Sequence, residues 1–524
     1  MRMVRGSIEA AVEAALKALG AGGATFVVER PRSMAHGDYS TNAALVAKVD
    51  PNELAEKLKI DGVEKVEVVG KFINFFLSRE AIAKEVEAAA REERWGTNDL
   101  YKGKKIMVEY TDPNPFKEFH IGHLMSNAIG EAIARVLDMS GAEVVRANYQ
   151  GDVGVHVAKA IWAKLQKPGL SWGDAYVYGN NEYEANKEKI DAINKKIYEK
   201  SDEIINKLYD EGRAQSLEHF EEIYAVLGTK FAHYFFESET GPIGLKLIKE
   251  HSEVFEESEG AIVFRGEQYG LHTRVFINSL GLPTYEAKEL GLVEAKKQKG
   301  DFDISLTVTA NEIQDYFKVV RAAAEKIFPD LEGKMLGRFH GFLKLTTGKM
   351  SSRKGNIITG EALLDDLQKA ARDRQDVAVG AIKYAVLKQG SGKDIIFDPE
   401  KSLSLEGDSG PYVQYAHTRA LSLLREAEKV GIKADQSDAP ANANTLERLL
   451  LHYPDVVERA AKELEPHYVT TYLTELASAF NSWYASERVI GGSAPKYGTL
   501  LAQAVEKTLQ KGLSALGIPA PEKM

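Results

Sequence analysis

The chain has 524 residues, 44% of them hydrophobic and 27% charged, the balance of a soluble globular protein long enough for three or four domains. Its 67 Lys and Arg against 77 Asp and Glu give a formal charge of −10, which excludes nucleic-acid coating by overall charge but leaves room for a local basic face. The absence of cysteine removes disulfides, thiolate catalysis and cysteine-ligated zinc, and no run approaches the roughly 18 apolar residues of a membrane span.

The first predicted element is a helix over 7–19, with Ile8, Val12, Ala15, Leu16 and Leu19 on one face. Glu9, Glu13 and Lys17 interrupt any signal-peptide core there, so a cytoplasmic location is expected. Residues 25–29 and 63–77 read as strands. Between them a short helix is expected over 41–48, with Asp38 and Ser40 as cap candidates whose oxygens can accept from orphan N–H groups. A third helix over 80–94 leads to Trp95-Gly96-Thr97-Asn98, read as the boundary of an N-terminal α+β module covering 1–98.

The run 105–110 is apolar and β-branched, a buried strand that Pro113 and Pro115 terminate. From His123 onward Leu124, Ala128, Ala132, Ile133, Val136 and Leu137 recur at helical spacing, and Val144 and Val145 begin a further strand. Strand, loop, helix and strand in about 45 residues form a βαβ unit, the building block of nucleotide-binding parallel sheets. Its loop carries His120-Ile121-Gly122-His123. A helix N-terminus offers free N–H groups to a phosphate, Gly122 lets a ligand approach the backbone, and two imidazoles can donate as charge builds. Either histidine alone would read equally well as a cap or a packing residue.

Residues 180–240 are charged and helix-patterned, with Ile190, Ile193, Ile197, Ile204, Ile205 and Leu208 on one face, so a helical insertion is expected over about 165–255. Further on, Gly348-Lys349-Met350-Ser351-Ser352-Arg353-Lys354-Gly355-Asn356 lies between an apolar strand over 339–345 and a helix starting near Thr359. Its cations, hydroxyls and flanking glycines suit a phosphate clamp, although a solvated turn is the plainer reading of such a run by itself. After Gly407 the pattern is helical, with a loop at 435–445.

These two loops together resemble the signature motifs of class I aminoacyl-tRNA synthetases, known as HIGH and KMSKS. Their context resembles arginyl-tRNA synthetases in particular: Glu109-Tyr110-Thr111-Asp112-Pro113-Asn114-Pro115, Asn148 to Gly154, Thr284 to Glu289, Asp408 to His417 and the closing Leu516 to Glu522. The resemblance implies an α/β fold in which a Rossmann-like nucleotide-binding parallel sheet with a helical insertion fills a catalytic domain over 99–400. An N-terminal tRNA-binding α+β module would precede it, and a C-terminal α-helical anticodon-binding bundle over 401–524 would follow. It further implies an arginine–tRNA ligase that works as a monomer with ATP and Mg2+, without a protein-built metal site, on L-arginine and tRNA, and that engages neither DNA nor membrane.

By the same resemblance His120, Gly122, His123, Lys349, Arg353 and Lys354 serve catalysis, and Met350, Ser351 and Ser352 join His120, Gly122, His123 and Lys349 around ATP. Glu109, Asn114, Tyr285, Glu289 and Gln314 are implied for arginine, with Tyr285 placed on a strand and Glu289 shortly after it. Two departures stand out: Ser352 occupies the position of the second signature lysine, with Arg353 and Lys354 one and two residues beyond, and Glu289 replaces an aspartate. From the residues themselves the carboxylates indicate only a cationic substrate. A lysine-specific ligase, a catalytically silent tRNA-binding paralogue and a small nucleotidyltransferase are the alternatives. Tyr468, Tyr472, Trp483, Tyr484 and Arg488 are candidates for an RNA-facing surface, one or two of them stacking on a base.

Overall fold

The computed structural model describes residues 4–346, 353–354 and 357–524, with strand assignment only at 353–354 and 357–358. The N-terminal module packs the Val4–Ala18 helix on a four-stranded antiparallel sheet of β1 (Val28–Glu29), β2 (Tyr39–Thr41), β3 (Val63–Val69) and β4 (Phe72–Leu77), ordered β1-β2-β4-β3. Two expectations fail here. The run 63–77 is a hairpin, turned at Gly70, which adopts φ +63°. The segment 39–41 is a strand, and the helix behind it, Ala43–Ala47, has Asn42 at its N-cap. Asp38 is therefore no helix cap: it accepts from the Leu77 N–H at 2.8 Å and pairs with Arg448 of the C-terminal module, while Ser40 lies within β2.

The Arg79–Arg91 helix leads into Trp95, buried, whose indole N–H donates to Thr508 Oγ1 at 3.0 Å. The sequence boundary at Trp95 is thus a packed joint. Arg5–Asp455 at 2.7 Å and Arg30–Glu475 at 2.7 Å also tie the first module to the C-terminal helices.

The middle of the chain builds a five-stranded parallel sheet from β5 (Lys105–Glu109), β6 (Glu143–Gln150), β7 (His233–Phe236), β11 (Ile304–Ala310) and β12 (Met335–His340), ordered β12-β11-β5-β6-β7. Three further strands, β8 (Glu256–Ser258), β9 (Ala261–Phe264) and β10 (Arg274–Ile277), form a separate antiparallel sheet. Ile106, Met107 and Val108 are all buried, as a strand covered by helices on both faces requires. The chain fills the sheet outward from β5 in one direction and then from β11 in the other, so the topological switch point lies between their C-terminal ends.

The helical insertion comprises Trp172–Asn181, Tyr183–Glu199 and Glu203–Leu227, and ends earlier than its pattern suggested, because β7 returns the chain to the sheet's edge at His233. The run 339–345 is likewise two strands: β12 stops at His340, and Leu343–Leu345 pairs instead with Ile395–Phe397. Gly341 makes that hop possible, since a Cβ there would meet the Lys393 backbone. Within the signature loop Arg353–Lys354 pairs antiparallel with Ile357–Ile358. The C-terminal helices Gly410–Lys429, Tyr453–Glu463, His467–Ser486 and Pro495–Ala515 share one continuous hydrophobic core with β5 and the Ile121–Met139 helix.

Candidate active site

The site grows from the end of β5. Pro113 and Pro115 supply no backbone donors, and the turn that contains them is strained on either side: Thr111, Asp112 and Phe116 have φ of +80°, +48° and +69°. Non-glycine residues hold such angles only where their surroundings impose them. Here the Thr111 N–H donates to Ser126 Oγ at 2.9 Å, the Tyr149 N–H donates to Asp112 Oδ1 at 2.8 Å, and the Phe116 N–H donates to Ser216 Oγ at 2.9 Å.

This turn delivers His120 to the N-cap of the Ile121–Met139 helix. The Gly122 N–H donates to His120 Nδ1 at 3.1 Å and the His120 N–H donates to His123 Nδ1 at 3.2 Å, so the two residues form a reciprocal capping box. Their rings stack with centroids 3.5 Å apart. Gly122 favours this fold-over, because a Cβ would stand 3.0 Å from the His120 ring and crowd it. With both Nδ1 atoms occupied as acceptors, neutral rings carry their proton on Nε2 and present an N–H donor. Burial, with the Lys117 charge adding to it, pulls His120 down to about 4. Burial, then the neighbouring His120 and Lys117 charges, holds His123 well below the usual histidine range. Both are neutral donors at pH 7.

The described end of the second signature loop meets this pair. Thr359 bridges His120, the Gly360 N–H donates to Phe119 O at 2.7 Å, and Thr359 caps the following Gly360–Ala370 helix. Lys349, Met350, Ser351 and Ser352 lie outside the described residues, as do the side chains of Arg353 and Lys354.

On the other side of β5 the chemistry changes sign. Buried Glu109 pairs with Lys296 Nζ at 2.7 Å. Glu289 accepts from the Tyr316 hydroxyl, and burial, reinforced by the Glu109 charge, pushes it up to about 8. Asp112 is raised well above the usual carboxylate range, again by burial and then Glu109. Glu237, at the end of β7, pairs with Lys288 at 2.6 Å; its charge is felt by both Lys117 and Glu289, so it stands between the two halves. Asn114 lies against Gly151, where any side chain would strike its amide oxygen. Asp152 next to it is fully buried, held by Arg213 at 2.9 Å, the Tyr209 hydroxyl at 2.9 Å and the Ser238 N–H at 2.8 Å.

The structure therefore brings together His120, Gly122 and His123 as one group and Glu109 and Glu289 as another, with Asn114 on the connecting turn. Tyr285 does not sit on a strand: it opens the Tyr285–Gln298 helix, one turn ahead of Glu289, and is 69% exposed. Gln314 is exposed at the start of the Gln314–Ile327 helix, two residues before Tyr316. Sequence reasoning missed Lys117, Asp112, His156, Lys296 and Tyr316. Lys117 alone carried a local signal, a cation three residues before His120. His156, pulled down to about 3 by burial and then Lys117, packs its Nε2 on Gly151 O at 2.8 Å. Of the RNA-facing candidates, Tyr472 is buried and its hydroxyl donates to Leu449 O, whereas Tyr484 is exposed beside Arg419. Among the described residues no group of three or more His, Asp or Glu is arranged to hold a metal ion, and no helix is long and apolar enough to cross a membrane.

Three family descriptions match in succession: the arginyl tRNA synthetase N terminal domain at residues 6–77, the catalytic domain of class I (R) tRNA synthetases at 85–398, and the DALR anticodon binding domain at 413–524. Arginine–tRNA ligases of Enterococcus faecalis and Ligilactobacillus salivarius are 31% and 30% identical to the chain, each over 95% of both sequences. The arginyl-tRNA synthetase of Thermus thermophilus superposes over the full length of both chains with a TM-score of 0.84 at 27% identity.

Proposed function

The chain belongs to the arginyl-tRNA synthetases, class I ligases that join arginine to tRNA at the expense of ATP, and from that premise we propose how its own residues divide the work. His120, Gly122 and His123 bind the nucleotide, and Glu109 and Glu289 bind the guanidinium, with Asn114 near the substrate's α-amino end. The observation that carries this reading is the pair of opposite environments at the switch point of one sheet. Neutral N–H donors at a helix N-terminus suit a polyphosphate, and buried carboxylates suit a cation.

In the first step an arginine carboxylate oxygen attacks the α-phosphorus, and the bond to the bridging oxygen of pyrophosphate breaks. Negative charge moves onto the phosphate oxygens, where the Nε2–H groups of His120 and His123 donate to it. Lys117 adds a positive charge beside them, as do Lys349, Arg353 and Lys354 of the signature loop. In the second step a terminal ribose hydroxyl of tRNA attacks the arginyl carbonyl carbon and AMP leaves. No covalent bond to the protein forms, and positioning supplies most of the rate. A magnesium ion bound with the nucleotide would screen its phosphates; Glu109, Asp112 and Glu289 already hold Lys296, the Tyr149 N–H and the Tyr316 hydroxyl, so no protein metal cage is proposed. Tyr285 and Gln314, both exposed, are proposed to close on arginine only when it binds. The domain limits proposed are 1–98, 99–400 and 401–524, and a cytoplasmic monomer is proposed with them.

The test supplies ATP, tRNA and either arginine or lysine, and follows both charging and exchange of pyrophosphate into ATP. Arginine alone should be charged. As a family trait, exchange should be negligible without tRNA and appear with tRNA, through binding energy that completes the site. Lysine charging, or robust exchange without RNA, would defeat the reading.

A further inference from the structure

Far from the site, the end of the chain and the end of the insertion converge on two cations. Lys383, on the Gln375–Leu387 helix, is fully buried, and its Nζ donates to Leu227 O at 2.6 Å and to Gly517 O at 2.9 Å. Arg135, on the helix that carries His120 and His123, donates to Gly228 O at 3.0 Å and to Ser514 O at 3.2 Å. Each cation thus clamps the same two segments. The carbonyls of Leu227 and Gly228 end the Glu203–Leu227 helix, where unsatisfied acceptors and the negative end of the helix dipole favour positive charge.

Both arms of this clamp lead to the active site. Arg135 Nε donates to Glu131 at 2.6 Å; Glu131 also takes Arg146 Nε at 3.1 Å and the hydroxyl of Tyr110, the residue just before the strained Thr111–Asp112 turn. The Glu203–Leu227 helix reaches the site with its other half, where Tyr209 and Arg213 hold Asp152 and Ser216 accepts from Phe116. A buried ammonium is costly, and an apolar residue of similar size at such a place is often neutral or stabilising. Packing alone therefore does not account for a lysine here. Burial draws the Lys383 ammonium down to about 7, yet the neutral amine retains two N–H groups for its two carbonyls, so the clamp holds in either state.

We propose that Lys383 is a positioning residue for arginine activation: from the Gln375–Leu387 helix it joins the Ser514–Gly517 segment to the end of the insertion helix, the same two segments that Arg135 holds from the helix bearing His120 and His123. The proposal rests on the assignment of those histidines to the nucleotide, and it makes the chain's last turn part of the catalytic scaffold.

The test is Lys383→Met in the full chain, with steady-state exchange of pyrophosphate into ATP in the presence of tRNA, tRNA affinity and thermal unfolding. The expected result is a kcat lowered roughly tenfold or more, the scale of a small misplacement of reacting groups, with KM for arginine and ATP and the affinity for tRNA within about twofold. A folded Lys383→Met enzyme with kcat within about twofold of the parent overturns the proposal. Should that variant not fold, Gly517→Ala asks the same question more gently. Its new Cβ would stand 3.0 Å from Lys383 Nζ at a φ of +64°, and a kcat unchanged there overturns the proposal too. His123→Ala serves as the control: if it stays active, the histidine assignment fails, whereas an inactive His123→Ala with a normal Lys383→Met rejects the clamp alone.

Discussion

The two halves of the active site are built on opposite electrostatic plans. On the side proposed for the nucleotide, burial strips charge from His120 and His123 and leaves neutral donors at a helix N-terminus. On the side proposed for the amino acid, Glu109, Asp112 and Glu289 gather near Lys296, and burial, then the Glu109 charge, favours the protonated form of Glu289. The first plan suits an anion whose charge grows during a reaction, as proposed for the nucleotide, so its donors need no charge of their own beforehand. The second serves a cation already charged in solution, which needs a paired partner when desolvated.

The contrast breaks most sharply at the histidines. His123→Ala should lower the rate of arginine activation by roughly 10²-fold or more, the scale of a lost oxyanion-type donor, with arginine affinity unchanged. Equal loss of arginine binding in a titration would show that the halves are not independent. On the other side, Glu289→Gln keeps the shape and removes the charge; arginine should bind about 1.5–3 kcal/mol more weakly while ATP binding holds. Preserved arginine affinity in calorimetry would move the guanidinium partner to Glu109. The smallest of these effects belongs to Lys117, which lies among His120, His123 and Glu237. Lys117→Met should raise the KM for ATP roughly tenfold and leave that for arginine alone, as loss of one charged contact to phosphate would. A change confined to arginine kinetics would place Lys117 on the wrong side of the comparison.

The geometry of the half proposed for the nucleotide was largely legible in the sequence because it is local. A continuous apolar strand, a proline-terminated turn and a histidine–glycine helix start occupy fewer than 40 residues, from Lys105 to Met139. The amino-acid half was legible only in its carboxylates. Lys296 and Tyr316 join it from separate helices, and nothing near either residue in sequence marks the contact. Tyr285 was assigned to a strand although Thr284 begins a helix there. The strand β7 was hidden for a different reason: it lies at the sheet's edge, where His233 and Tyr234 are half-exposed and the apolar pattern is weak. Asp38 resembled a helix cap because its partner, Arg448, lies 410 residues away.

The division of charge is tested most directly by counting protons when arginine binds. In the free protein burial and then the Glu109 charge push Glu289 up to about 8, which favours its protonated form at pH 7; a bound guanidinium favours the carboxylate and expels that proton. Affinity should therefore fall as pH drops below about 8 and level off above it. Calorimetry at pH 7 in buffers of different ionisation enthalpy should find net proton release on arginine binding, largely lost in Glu289→Gln. Proton-neutral binding, with an affinity flat from pH 6 to 9, would contradict a carboxylate held protonated in wait for its substrate.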